Sequence, residues 1–277
     1  MPRYVASKWR KTAALRENER IRPFLLPMER MTPSTLDSML VRHRTVFVKP
    51  VSGMHGKGVI KVELVKSAEK PYRYQEGLVK RSFKDRGSLY KAILKVAAGR
   101  PYLVQKGIRL LRYKDRPFDI RVMIQQSPAK RWEVTGIICR VAQPGKIVTN
   151  VHNGGRLQPI ERMLKPYAHK RSMERSIADL KSLGKDVAEH LGRRFPGIKE
   201  IGLDIGIDGD LKPWIIETNT SPASFIFKHL PDKSIYQRVR NYAIAYGKLR
   251  RPKPAEKKPV HQQKKPSSAR RAAAGKR

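Results

Sequence analysis

Asp204, Glu217 and Asn219 are the residues whose types and spacing most directly suggest chemistry. They stand in two apolar runs, Gly202-Leu203-Asp204-Ile205-Gly206 and Ile215-Ile216-Glu217-Thr218-Asn219. Between the runs lies Asp208-Gly209-Asp210, a hairpin-turn signal. Residues two apart on a strand share a face, so Glu217 and Asn219 belong on one side. Three hard oxygens placed this way suit Mg²⁺, which takes a few protein ligands and completes its octahedral shell with substrate phosphate and water. The plain alternative is an acidic turn. Asp208 and Asp210 already supply one, and they leave the acid and amide at the strand end unexplained.

A second group is Val46-Phe47-Val48-Lys49-Pro50 running into Ser52-Gly53-Met54-His55-Gly56-Lys57-Gly58. A lysine leaving a strand beside a loop rich in backbone N–H groups can hold a polyphosphate. Gly53, Gly56 and Gly58 are the backbone candidates. The spacing is not that of a Walker A loop, since Gly58 stands where Ser or Thr is required. A strand pattern rather than a helix follows, which excludes a Rossmann fingerprint.

The elements that must position these residues are legible from periodicity. Ser7 caps a first helix through Leu15. Thr32-Pro33 opens a second helix with Leu36, Met39 and Leu40 on its apolar face. Thr45–Val48 and Val59–Leu64 read as strands around the glycine loop. Ser88–Ala98 reads as a helix ended by Gly99, and Tyr102–Val104 as a strand. Asp119–Gln125 and Trp132–Arg140 alternate as antiparallel neighbours. Ser172–Leu191 repeats Ile177, Leu180, Leu183, Val187 and Leu191 at helical spacing. Strands clustered among helices predict an α+β fold with mainly antiparallel sheets.

Composition sets the outer bounds. The 277 residues, 39% of them hydrophobic, can bury a real core. Cys139 is the single cysteine, which excludes an internal disulfide and a Cys-based zinc site and fits a reducing, cytoplasmic setting. No run is long enough to span a membrane, and the polar start lacks a secretory signal. The formal net charge of +38 favours anionic partners. Residues 250–277 are basic and nearly free of apolar side chains, so they read as a disordered basic tail. No recognition motif accompanies the charge, so nucleic acid is expected only as a non-specific partner.

In combination the motifs resemble the ATP-grasp superfamily. Ser7-Lys8-Trp9 and Lys49 look like its two phosphate-binding lysines. Val104-Gln105-Lys106-Gly107-Ile108 is similar to its hinge, where Gln105, Lys106 and Ile108 would meet adenine. Phe118-Asp119-Ile120-Arg121-Val122 and Arg140 resemble the segments that carry arginines to the reacting phosphate. Thr149-Asn150-Val151-His152-Asn153-Gly154-Gly155 is similar to a run of the ribosomal-protein glutamate ligases, with Asn150 orienting the acyl group. Asp204, Glu217 and Asn219 fall on the family's magnesium ligands. Arg112 stands where many members carry a ribose-binding carboxylate, leaving Asp115 and Asp119 as alternatives. The strongest likeness is to the spore-coat-associated ATP-grasp group of endospore-forming bacteria.

The resemblance implies two α/β subdomains clasping ATP, divided as 1–103 and 104–249 ahead of the tail. It implies ATP and Mg²⁺ as cofactors, with Mn²⁺ an alternative, and ligation of a carboxylate to an amine through an acyl phosphate. The catalytic candidates are Arg121, Arg140 and Asn150. The substrates are not specified by the motifs, and the basic surface suits an acidic peptide or polymer. Lys8 stands close to the first residue, so the domain that precedes this lysine in most members is expected to be absent or supplied by another chain. The implied location is the mother cell or forespore, with assembly into the spore coat. A structural coat protein that keeps the ATP-grasp body without ligase activity is the alternative reading.

Overall fold

The computed structural model describes residues 3–53, 56–66, 68–149 and 156–250, and in it the apolar alternation resolves into two antiparallel sheets. The first contains β1 (Met28–Arg30), β2 (Thr45–Pro50), β3 (Ile60–Leu64), β4 (Tyr72–Glu76), β5 (Val79–Phe83) and β6 (Tyr102–Lys106). Its order is β1-β6-β2-β3-β4-β5. Helices α2 (Pro33–His43) and α3 (Arg86–Ala97) cover one face. A reciprocal Thr32–Thr35 capping box starts α2, and the Asp85 side chain accepts from Ser88 N to start α3. Val46 and Val48 are buried among Leu36, Met39, Leu40 and Ile93. The period of two therefore sends Phe47 and Lys49 to the opposite face.

The second sheet contains β7 (Arg112–Tyr113), β8 (Arg116–Gln126), β9 (Trp132–Val141), β10 (Arg156–Gln158), β11 (Glu200–Ile207) and β12 (Pro213–Asn219). Its order is β10-β9-β8-β11-β12, with β7 paired to β8. Ile120, Val122 and Ile124 share a core with Leu180, Leu183, Val187 and Leu191 of α5 (Lys170–Arg194). Short α4 (Ile160–Leu164) adds Ile160 and Met163 to that core. On the other face of β8, Met123 is covered by Phe227 of the 3₁₀ turn Phe225–His229 and by Val239 of α6 (Lys233–Ala245).

Two features depart from the expected division of the chain at residues 103 and 104. Strand β6 crosses that point and belongs whole to the first sheet. Helix α1 (Lys8–Arg16) packs against α5 and β12, with Ala14 and Leu15 in the core of the second sheet. Its place is set by the burial of Leu15, not by its position in the chain. Among the described residues no helix is long and apolar enough to cross a membrane.

The chain's last described segment is tied to the sheet by a buried polar network. Glu200, 1% exposed, accepts from Tyr246 Oη at 2.7 Å and from Lys248 Nζ. Lys248 Nζ also donates to Pro222 O at 2.9 Å, in the segment following β12. Burial and the neighbouring Glu200 carboxylate both raise the Tyr246 pKa, and so keep its hydroxyl protonated.

Gly136 on β9 faces the 3₁₀ turn so closely that a Cβ there would lie 2.8 Å from Phe227 ring carbons and 3.0 Å from Ile235 Cγ2. Gly136→Ala is therefore expected to destabilise the fold by about 1–3 kcal/mol through overpacking. Urea unfolding measures this, and an unchanged midpoint would contradict it.

Candidate active site

The two sheets meet at a β-bulge. Asp204 pairs with Glu217 while Ile205 pairs with Ile215, so Ile216 is the extra residue on β12. Its carbonyl accepts from Lys49 Nζ at 3.2 Å and Gln105 Nε2 at 3.3 Å, both from the first sheet. Lys49 Nζ also donates to Gln105 Oε1 at 2.7 Å. Burial lowers the Lys49 pKa to about 8, against the opposing pull of Glu217.

Helix α1 delivers a second lysine. The Ser7 hydroxyl accepts from Arg10 N and caps the helix. Lys8 N donates to Val51 O at 2.9 Å, and Lys8 Nζ donates to Gly53 O at 3.0 Å. The same ammonium lies 3.5 Å from Glu217 Oε1. Lys8 thus links the glycine loop to the predicted metal strand. One helical turn on, buried Lys11 donates to Val5 O at 2.8 Å, and Val5 N donates to Thr220 Oγ1 at 2.9 Å. Burial lowers the Lys11 pKa to about 8 as well.

The floor of the site is a row of buried charges across β11, β8 and β9. Register places Asp204 opposite Arg121, and Asp119 opposite Arg140. The Asp204 carboxylate accepts from Arg121 Nε and, at 3.1 Å, from Arg121 Nη2. Arg140 Nη2 lies 2.9 Å from the same carboxylate. Arg140 also donates to both Asp119 oxygens, at 2.8 and 2.5 Å, and Thr149 Oγ1 donates to Asp119 at 2.7 Å. The order is cation, anion, cation, anion. Burial opposes charge on Asp204, yet Arg121 and Arg140 outweigh it and lower its pKa. Burial likewise opposes charge on Arg140, and Asp119 with Asp204 reverses the effect and raises its pKa.

These elements enclose one cleft of about 230 Å³. Lys8, Lys49, Gly53, Gly56, Gln105, Lys106, Ile108, Arg121, Arg140, Asp204, Glu217 and Asn219 all line it. Gly58 does not; its φ is +71°, and a Cβ there would lie 2.5 Å from Tyr102 Oη, so packing accounts for the glycine. Asn150, His152 and the Asn153-Gly154-Gly155 run lie outside the described residues, as does His55. Of the two ribose alternatives, Asp119 is engaged by Arg140 and Thr149, and Asp115 sits exposed in a turn off the cleft lining.

Sequence reasoning did not identify Thr149 as a partner of Asp119, nor Lys11 and Lys57 as part of the basic setting. It also missed most of the apolar walls. Leu110, Ile108 and Ile216 pack together around Gly206, and Leu26, Phe47, Ile147, Val148, Ala223, Phe225 and Ile226 also line the cleft.

Asp204, Glu217 and Asn219 form an all-oxygen donor set that suits a hard divalent cation. Cross-strand pairing brings Asp204 opposite Glu217 and Gly202 opposite Asn219, and Asn219 Nδ2 lies 3.5 Å from Asp204 Oδ2. No cluster of three or more His, Cys, Asp or Glu residues able to hold a metal occurs among the described residues. A cation here would therefore complete its shell with phosphate and water, as Mg²⁺ commonly does. The oxygen chemistry fits that group, with Glu217 and Asn219 the more available ligands, since both Asp204 oxygens already accept from Arg121 and Arg140.

Residues 2–249 match the family model described as YheC/D like ATP-grasp. The chain is 26% identical over 227 residues to the endospore coat-associated protein YheD of Bacillus subtilis (strain 168), covering 80% of this chain and 49% of that protein. It is 23% identical over 222 residues to the endospore coat-associated protein YheC of the same organism, covering 79% and 61% respectively. The chain thus spans about half the length of the first of these curated relatives. Among solved structures, D-cycloserine synthetase DcsG aligns with a TM-score of 0.52 at 13% identity, over 87% of this chain and 69% of that one. The ATP-grasp ligase PsnB complexed with minimal precursor aligns with a TM-score of 0.50 at 13% identity, over 87% and 60%. At such identity the likeness is one of fold.

The Lys49 pKa has a measurable consequence. Its ammonium is present below about pH 8 and lost above it, so a polyphosphate held by Lys49 binds more weakly as pH rises. ADP affinity, followed by calorimetry, is expected to fall about tenfold between pH 7 and 9.5, the scale of one charge-assisted hydrogen bond. Lys49→Arg keeps its charge throughout and should flatten the profile. A flat wild-type profile, or the same slope in both proteins, would contradict this assignment.

Proposed function

The chain belongs to the YheC/D-like ATP-grasp family, and on that premise we propose that it is an ATP-dependent carboxylate–amine ligase. The observation that carries the reading is the buried row Arg121–Asp204–Arg140–Asp119, set in the floor of a cleft lined by Lys8, Lys49 and Glu217. Bringing a carboxylate to a triphosphate crowds negative charge, and fixed cations in a dehydrated site are the physical answer to it.

In this reading Leu26, Phe47, Ile108 and Leu110 form the apolar seat for adenine. Lys8, Lys49 and Lys57, with the loop amides at Gly53 and Gly56, hold the phosphates. Asp204, Glu217 and Asn219 hold Mg²⁺, which when bound supplies charge neutralisation at the phosphates. Arg121 and Arg140 face the transferred group, where a planar guanidinium suits both phosphate and carboxylate. A carboxylate oxygen attacks the γ-phosphorus, and the bond from that phosphorus to ADP breaks. The amine nitrogen then attacks the acyl carbon, inorganic phosphate departs, and the amine proton passes to water. Asp119 orients Arg140 and touches no reacting atom.

The names of both curated relatives favour a second reading, a coat-associated protein that keeps the nucleotide site without ligase activity. An ADP-release assay over a panel of carboxylates and amines separates the two. The Glu217 carboxylate lies 3.5 Å from Lys8 Nζ and its side chain is 24% exposed, so Glu217→Ala should fold. The variant is expected to lose at least about a hundredfold of the release rate, the scale for removing one electrostatic stabiliser. Nucleotide binding without release for any pair would favour the coat reading. If wild type neither binds Mg-ATP nor releases ADP, the ligase reading fails.

A further inference from the structure

Glu217 and Asn219 lie toward the end of an edge strand. Within its sheet β12 pairs with β11 alone, and Gly202–Asn219 is the last pair of that ladder. Strand ends open more readily than strand centres, yet a hard divalent cation needs its oxygen ligands at fixed geometry. The chain beyond the ladder must therefore be held by other contacts. Two lysines from opposite parts of the sequence supply them.

The first is Lys11, 2% exposed. It donates to Val5 O at 2.8 Å, and Val5 N donates to Thr220 Oγ1 at 2.9 Å, which fixes the residue after Asn219. The second is Lys248, just past α6. Its ammonium donates to Pro222 O at 2.9 Å and pairs with Glu200. Glu200 shares the cleft-side face of β11 with Gly202 and Asp204, because Ile201, Leu203 and Ile205 belong to the core against α5. Glu200 accepts from Tyr246 Oη at 2.7 Å, and Gln125 Nε2 donates to that hydroxyl at 2.6 Å. Lys248 N and Leu249 N donate to Ala243 O at 2.8 and 3.1 Å, so the lysine's backbone is anchored to α6.

Pro222 is also a neighbour of Arg121. A Cβ at Gly202 would lie 2.6 Å from Pro222 Cβ and 3.2 Å from Arg121 Nε, and glycine lets both close on β11 there. The carbonyl that Lys248 grips thus belongs to a residue beside the arginine that holds Asp204. Ser221, between the two fixed residues, lines the cleft.

We propose that Lys248 is a positioning residue for the metal end of the cleft. It sets the path of Thr220, Ser221 and Pro222, and through them the Asn219 amide, from the side opposite Lys11. The proposal rests on the reading that Glu217 and Asn219 hold Mg²⁺ with the nucleotide, and it adds to that site a residue that touches neither. The plain alternative is that Lys248 only neutralises buried Glu200. The two roles separate because Lys248 has two partners. Charge compensation needs the Glu200 contact, whereas positioning needs the Pro222 contact.

The test uses the full chain. Electron paramagnetic resonance follows Mn²⁺ binding to the ADP-saturated protein, and calorimetry follows ADP binding without metal. Lys248→Met is expected to weaken Mn²⁺ about tenfold and leave metal-free ADP affinity within about twofold, the scale on which residues behind a metal ligand act. It also strands the buried Glu200 carboxylate, which costs stability. Glu200→Gln combined with Lys248→Met removes both charges, keeps an acceptor for Tyr246 and should recover thermal stability. Mn²⁺ affinity in that double variant should stay about tenfold low, because Pro222 O is still released. Mn²⁺ affinity within about twofold of wild type in either variant would overturn the positioning role and leave the nucleotide reading intact. Failure of wild type to bind Mn²⁺ with ADP would overturn the metal site, and the proposal with it.

Discussion

The fold turns on the need to keep two arginines and two aspartates charged while they are buried side by side. An uncompensated buried ion costs several kcal/mol, and breaking one partner from a buried pair costs about 3–5 kcal/mol. The row Arg121–Asp204–Arg140–Asp119 meets that cost by strict alternation of sign, and Thr149 adds a hydrogen bond at its end. Alternation is possible only while β11, β8 and β9 keep one register. A slip of a single residue would turn every one of these side chains toward α5. The hydrophobic residues of the intervening positions, Ile120, Val122 and Ile124, fix that register from the other face.

The elements around the row serve its access and its isolation. The bulge at Ile216 turns one carbonyl toward Lys49 and Gln105, joining the first sheet to the second at the site itself. Helix α1 sits on the second sheet while its first residue reaches the glycine loop of the first. Lys8 therefore spans both bodies, and Lys11 fastens the preceding segment to Thr220 through Val5. From the far side, Lys248 and Glu200 hold the segment after β12 against the sheet. Each of these contacts uses a lysine at limited solvent exposure, a role the large net charge does not by itself suggest.

Much of this was legible in the sequence, for reasons that differ by element. The hairpin carrying Asp204 and Glu217 was readable because apolar alternation and a strong turn signal coincide. Helix α5 was readable because a long helix shows many turns of its apolar face. Strand β5 was not, since Val79-Lys80-Arg81-Ser82 is exposed throughout and no buried period marks it. Helix α6 escaped notice because it buries only Val239 and Ala243, although the Asp232 cap was present as a signal. The partners of Asp204 were hidden for another reason. Arg121 lies 83 residues away, and only strand register, which no local pattern encodes, brings the two together. The same register shows Asp119 holding Arg140.

The central claim is that the cleft receives nucleotide with its phosphates toward the charged row. A crystal structure of the full chain with Mg-AMPPNP tests it most directly. The account predicts adenine against Ile108 and Leu110, phosphates between Lys8, Lys49 and the glycine loop, and the terminal phosphate at the Arg121–Asp204 row. Nucleotide bound outside the cleft, or reversed with adenine against Phe225 and Ile226, would contradict it.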